Sequence, residues 1–547
     1  MKKLIFIFFV ASAFTSCKQH PVADKVVLGK VWTGNDQAPW AEGFAIIGDS
    51  IVAVGSSEEI SQWIGNETQK IETASDNLIV PGFIDCHTHF VDGGFALAAV
   101  QLRDAKTPQD FINRIKEFAK AQPKGTWILF GDWDHETWGG ELPTRDWIDS
   151  VTQDNPVWVN RLDGHMCLAN TAALKIAGID NLVKNVAGGT IVRDKKGKVT
   201  GVFKDNAMNL VFRFVPDPSD EQKDTALTSA MNYVASNGVT SVHNVGGYVD
   251  VFERAQRNKT LKTRIYAAFP LTDWRDLNQK ITRQGRGDAW LRIGGLKEFV
   301  DGSLGSHTAA FFKPYTDVPS DSGFFITPES DLYRRIKSAD SAGLQVMTHA
   351  IGDKAIHVLL NIYERIEKEN GNRDRRFRIE HAQHIAQGDI AKFAQLQVIP
   401  SMQPYHAIDD GRFAEKLIGS DRIKTTYAFN SLLKSKARVA FGSDWPVAPA
   451  TPLEGIYGAV TRQTLDGINP AGWVPGQKIS IENALKCYTV NAAYASFEEN
   501  IKGSIQSGKL ADFVILEKDL FKIQPAETRN VKVLRTAVGG EFVYTAD

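Results

Sequence analysis

Two histidines two positions apart, His87 and His89, stand near the end of VPGFIDCHTHF, residues 80–90. Side chains at i and i+2 of an extended segment point to one face. Two imidazoles on one face can grip a single metal ion. Other apolar runs end on polar residues in the same way. His349 closes LQVMTHA, His381 follows RFRIE, Asp444 closes RVAFGSD, and Lys297 sits within GGLKEFVDG. Singly, a strand-end histidine is more often a hydrogen-bonded structural residue, and an aspartate there a helix N-cap. Together, four histidines and an aspartate make a ligand set that suits zinc without excluding manganese, iron or cobalt.

Lys297 is the odd member, because an ammonium repels a metal. A lysine inside a fold is costly unless neutralised or paired, and burial lowers its pKa. A neutral lysine can add CO₂ and become a carbamate, a carboxylate able to bridge two metals. It can equally pair with Asp301 or Asp444. The residues alone leave both readings open. By strand alternation Glu298 faces away from the lumen, and Cys86 points away from the histidine pair as a small buried apolar residue.

The elements that must position these residues follow from the apolar runs. Eight recur: NLIVPGFIDCHTH, GVTSVHN, RIYAAF, GGLKEFVDG, LQVMTHA, RFRIEHA, VIPSMQP and RVAFGSD. Most are separated by helix-like segments such as DKAIHVLLNIYERIEKEN. Near-continuous apolar strands alternating with helices imply a parallel sheet. Eight imply a closed (β/α)8 TIM-like barrel, with its site at the carboxyl ends of the strands. About 140 residues separate the first two runs, far beyond an ordinary connection. Residues 91–232 therefore read as an insert or lid, with a hairpin around Lys196-Gly197. Alternating strands at both ends of the chain predict a small β-sandwich built from residues 18–77 and 500–547, flanking a barrel over 78–499.

The bulk numbers exclude some partners. The 547 residues carry 63 Lys+Arg against 64 Asp+Glu, which gives no electrostatic reason to expect nucleic acid. Residues 1–17, MKKLIFIFFVASAFTSC, have two lysines, a short apolar core and a small-residue end, a signal-peptide pattern. FTSC resembles a lipobox. It predicts export, with a lipid on Cys17 anchoring the chain to a bacterial envelope membrane; the alternative is a plain secretory signal cut nearby. With four cysteines, widely spaced, there is no disulfide framework.

HTH after PGFID, KEFVDGSLGS, THAIGD, RIEHAQ and GSDWPV together resemble the amidohydrolase superfamily, in the branch that includes N-substituted formamide deformylases. The resemblance covers nearly the whole chain after the signal. It implies two divalent ions per chain, zinc by ligand type. His87, His89 and Asp444 would hold one, His349 and His381 the other, and Lys297, carboxylated by CO₂, would bridge them. Where RIEHAQH offers both His381 and His384, the first directly follows its strand and is the expected ligand, with His384 either near the substrate or behind the ligands. The implied chemistry is attack of a metal-activated hydroxide on a carbonyl, with Asp444 carrying the proton to the leaving nitrogen. His165, in LDGHMCLAN, resembles the family's segment over the site. His243, Gln403, His406, Arg161 and Trp133 are further candidates for the substrate pocket.

The expected activity is hydrolysis of non-peptide carbon–nitrogen bonds in small linear amides or N-substituted formamides. A cyclic-amide hydrolase or a one-metal deaminase is the alternative; Lys297 argues against the deaminase. A catalytically dead, lipid-anchored binding protein is a third reading, against which the complete ligand set counts. A homodimer is an open expectation.

Overall fold

The computed structural model describes residues 22–546, so Cys17 and the signal-like segment lie outside the described residues. Eight parallel strands form the central sheet: β1 Phe83–Thr88, β2 Val239–Asn244, β3 Arg264–Pro270, β4 Leu291–Phe299, β5 Gln345–Ala350, β6 Arg378–His381, β7 Ile399–Met402 and β8 Ala440–Phe441. They lie side by side in chain order. The ring closes just past β8, where the Asp444 N–H donates to the His87 carbonyl at 2.7 Å and the His89 N–H to the Trp445 carbonyl at 2.8 Å. Every residue of β1 and of β5 is buried, as expected of strands covered on one face by helices and on the other by barrel contents.

The covering helices are amphipathic. Asp220–Ser236 starts with a capping box between Ser219 and Gln222 and buries Leu227, Ala230, Met231 and Val234 along one stripe. Asp353–Asn370 buries Ile356, Leu359, Leu360, Tyr363 and Ile366. These spacings of three and four put the apolar side chains on one face against the strands.

Strands from both ends of the chain meet in one eight-stranded sheet, in keeping with the expected terminal β-sandwich. Phe513–Leu516 pairs antiparallel with Leu78–Pro81, so the last part of the chain is stitched to the first. A buried ion pair joins this sheet to the barrel: Arg264 donates to both oxygens of Asp512, at 2.7 and 2.9 Å. Between β1 and β2 lies a separate five-stranded sheet with its own apolar clusters. Its outer hairpin, Gly189–Arg193 with Val199–Asp205, turns at Lys196-Gly197. Among the described residues no helix is long and apolar enough to cross a membrane.

Candidate metal centre

The carboxyl end of β1 delivers His87 into the barrel, where three polar groups meet it. Its Nδ1 lies 2.5 Å from Glu380 Oε2. Its Nε2 lies 3.4 Å from Asp444 Oδ1 and 3.2 Å from Lys297 Nζ. An ionised carboxylate only accepts, so Glu380 holds the proton on Nδ1 and leaves the Nε2 lone pair free. The same logic applies to its neighbours. His349 Nε2 faces the Gly302 carbonyl at 3.0 Å, which keeps its proton there and frees Nδ1. His381 Nδ1 faces Gln403 Oε1 at 2.9 Å, which frees Nε2. Three imidazoles are thus oriented by acceptors that fix one nitrogen each, the arrangement metal-ligating histidines use.

Potential ligand atoms of His87, His381 and Asp444 all lie within 4.8 Å of one another. His89, at the rim and partly exposed, puts Nε2 3.4 Å from Asp444 Oδ1. His349 stands behind His381, with ring centroids 4.5 Å apart. Donors of this type and spacing fit a divalent ion, with imidazole nitrogens and a carboxylate converging and their other edges tied back.

Charge in the cluster is set by burial. Burial first, then the Lys297 charge, pushes His87 down to about 4. Burial likewise holds His349 and His381 well below the usual imidazole range. Lys297 is pushed down to about 8 by burial. Burial would raise Asp444, but His87, His89 and His381 outweigh it and keep the carboxyl well below its usual range. At neutral pH His87, His349 and His381 are therefore neutral and Asp444 is a carboxylate, the forms that bind metals.

Lys297 makes no direct ion pair with either alternative partner, though the Glu380 and Asp444 charges act on it. Among the described residues no carboxylate lies within 4.0 Å of its Nζ, which packs over the Phe299 ring at 4.8 Å. Asp301 is engaged elsewhere: it accepts the backbone N–H groups of Ala310, Ile351 and Gly352 at 2.8, 3.0 and 2.9 Å. Glu298 faces outward as alternation predicts, paired with Arg335 at 2.9 Å. Cys86 turns away from the histidines and lies 3.2 Å from Ser401 Oγ.

The pocket candidates separate into two groups. A cavity of about 40 Å³ beside the cluster is lined by Arg161, His165, His349, His381, His406 and Asp444, among others. His165 is held by Asp205 at 2.6 Å and stands 5.0 Å from the His349 ring. Arg161 is held by Asp163 and Asp134. His406 lies parallel to His381, with centroids 6.4 Å apart. Gln403 touches His381 rather than the open cavity.

Three expectations are corrected. Trp133 is buried in the apolar core of the insert, its indole N–H donating to the Val159 carbonyl at 2.9 Å. His243 lies inside the barrel against Arg378, at 3.0 Å, and the Tyr266 ring. His384 is bonded to Thr426 at 2.9 Å and packs on Phe311, outside the cluster. Each ring packs against its neighbours away from the open cavity, with one polar atom taken by a partner.

Sequence reasoning missed Glu380. It is fully buried and receives the Arg378 guanidinium at 2.7 and 2.9 Å as well as His87. Burial opposes its charge, but Arg378 and His87 hold its carboxyl below the usual range. The signal was present: in RIEHA, Arg378 and Glu380 are i and i+2, so an ion pair on one strand face was readable. Asp85 was missed too. It accepts the Ser443 and His87 backbone N–H groups at 2.9 and 3.2 Å, pinning the turn that carries Asp444 to β1.

Comparison with known proteins agrees with this geometry. Residues 71–544 match the model of a family described as "Amidohydrolase family". The chain is 40% identical over 542 residues to Protein LONG AFTER FAR-RED 3 of Arabidopsis thaliana, covering 96% of this chain and 92% of that one. It is 27% identical over 540 residues to the N-substituted formamide deformylase of Arthrobacter pascens, covering 95% and 98%. An uncharacterized metal-dependent hydrolase from Pyrococcus horikoshii superposes with a TM-score of 0.73 at 27% identity, over 92% of this chain and 99% of that one.

Proposed function

This chain belongs to the amidohydrolase family and is a hydrolase of carbon–nitrogen bonds, and from that premise we propose that it cleaves linear amides, N-substituted formamides in particular, at a two-metal site bridged by carboxylated Lys297. The observation that carries this reading is the cluster of His87, His381 and Asp444 within 4.8 Å, with the Lys297 amine against His87 at 3.2 Å and, among the described residues, in direct contact with no carboxylate. In the proposal His87, His89 and Asp444 hold one ion, and His349 and His381 the other. Zinc suits these donors. When bound, the metals supply Lewis acidity and a nucleophile at neutral pH.

The chain's own residues do the rest. Asp444 is ionised, so it can accept a proton from the attacking water and return it to the leaving nitrogen, which cannot depart as an amide anion. Glu380, Gln403 and the Gly302 carbonyl keep the three imidazoles in ligating tautomers. The cavity beside the cluster is about 40 Å³, on the scale of one or two waters. The formamide activity of the Arthrobacter pascens relative supports the same substrate class.

Elemental analysis of the chain, purified without chelator in bicarbonate buffer, tests the proposal together with a screen of N-substituted formamides. About two metals per chain with formamide turnover is the expected result. One metal per chain, or turnover of cyclic amides alone, overturns it.

A further inference from the structure

At the opposite end of the barrel from the histidine cluster, four arginines line one cavity of about 120 Å³. Arg286 comes from the loop before β4 and Arg292 is the second residue of β4, while Arg373 and Arg375 lie just before β6. Tyr266 and Phe497 supply aromatic walls. Acids nearby are already committed. Asp374, which lines the cavity, accepts from Arg376 Nε at 2.9 Å, and Asp340 is shared between Arg373 and Arg375. Arg286 donates to the Gly343 carbonyl at 3.1 Å. Among the described residues neither Arg286 nor Arg292 has a carboxylate within 4.0 Å. The Nε–H groups of Arg292 and Arg373 are buried without a hydrogen-bond partner.

One carboxylate, Asp340, serves Arg373 and Arg375 together, and Arg286 and Arg292 have none, so the group is only partly compensated from within the chain. Burial first, and to a lesser extent the charges of Arg292 and Arg373, lower the pKa of Arg286. Buried donors without acceptors are rare and call for a partner. We propose that this cavity binds a tetrahedral oxyanion of the phosphate class. Guanidinium forks match oxyanions with paired N–H donors. The volume is well below the ~300–1,000 Å³ of sites for drug-sized ligands, so a free ion fits and a whole nucleotide does not. A bound ion would tie the loops before β4 and β6 together. Its effect is on the stability of the barrel floor, by linkage.

Calorimetric titration of the full chain with inorganic phosphate, at ionic strength held constant with chloride, tests this. Sulfate is titrated in parallel. One saturable phosphate site per chain is expected. It should survive chelator treatment, which separates it from phosphate held by metals, and weaken at least tenfold in Arg286→Gln and in Arg292→Gln, with metal content unchanged. Two variants guard against one failing to fold, and a thermal melt without phosphate checks each. Equal sulfate affinity assigns the site to tetrahedral dianions in general, and weaker sulfate to phosphate; both uphold the proposal. No saturable binding, or binding that chelation removes and both arginine variants keep, overturns it.

Discussion

Replacing Glu380 with Gln tests the centre at its least conspicuous residue. The side chain keeps its shape and loses its charge. In the native protein the two carboxylate oxygens take three N–H groups, one from His87 and two from Arg378. A glutamine has one oxygen and one NH₂. With its NH₂ toward His87, Nδ1 must become an acceptor, the proton moves to Nε2, and the lone pair facing Asp444 is lost. With its NH₂ toward Arg378, two sets of buried donors face each other.

Breaking a buried ion pair outright costs about 3–5 kcal/mol, and a hydrogen bond to a charged group is worth about 1.5–3 kcal/mol. One oxygen remains, so the loss here should be about 2–3 kcal/mol. Loss of such an orienting carboxylate weakens metal binding about 10–100-fold. Competition against a chromophoric chelator at neutral pH reads that affinity directly. A Glu380→Asp variant, shorter but charged, should fall between wild type and Glu380→Gln. The sign with pH is also set: the native carboxyl is held below its usual range, so its stabilisation is present above the ordinary carboxylate pKa and lost as pH falls through the lower native value. The gap between wild type and variant should close in acid. A Glu380→Gln protein that binds metal within about twofold of wild type would refute the tautomer argument.

Lys297→Ala should abolish activity and lower the metal count, measured by elemental analysis; full activity in that variant removes the bridging role. Because Lys297 is pushed down to about 8, its neutral fraction rises from about a tenth near pH 7 to about a half near pH 8. Reactivation of stripped protein by metal and bicarbonate should accelerate over that span, and a rate flat with pH contradicts it. Asp410, bonded to Tyr427 at 2.6 Å, is raised to about 7 by burial. Its stabilisation is full below the ordinary carboxylate pKa and lost as pH rises through about 7. Asp410→Asn should therefore lose less melting temperature than wild type between about pH 6 and about pH 8, and parallel curves would count against the assignment. Cys17→Ser should move the protein from the membrane fraction to the soluble one; an unchanged distribution on fractionation ends the lipid-anchor proposal.

The barrel was legible because each strand is an apolar run that stops at a polar residue, and because parallel strands buried on both faces leave that signature in sequence. His87, His381 and Asp444 were legible for the same reason: they are where the runs stop. Glu380 was less so. It sits inside a strand, and a charge there reads as solvent-facing unless its partner two residues back is taken with it. The errors run the other way. His243, His384 and Trp133 have the chemistry of pocket residues, but Arg378 and Thr426 take Nδ1 of the two histidines and the Val159 carbonyl takes the indole N–H. Composition cannot show which hydrogen-bond partner arrives from 135 residues away, as Arg378 does for His243.

Backbone strain adds a consideration the side chains do not. His381 and Asp444 both have left-handed backbones, with φ of 71° and 64°, a conformation that costs residues other than glycine about 1–3 kcal/mol each. Neither would hold it unaided. The Asp444 N–H is fixed by the His87 carbonyl, and Asp85 pins Ser443 through its N–H. Gly442 lets the turn come close: a Cβ there would lie 2.6 Å from the His87 nitrogen. On the other side, the N–H of Ala382, next to His381, reaches the Ala350 carbonyl at 3.1 Å. Both residues are thus turned off the regular strand path toward His87, and the ties that turn them run to β1 and β5. A strand in regular alternation would carry these side chains on past the cluster. Those left-handed turns bring a histidine from β6 and an aspartate from beyond β8 to the same few ångströms.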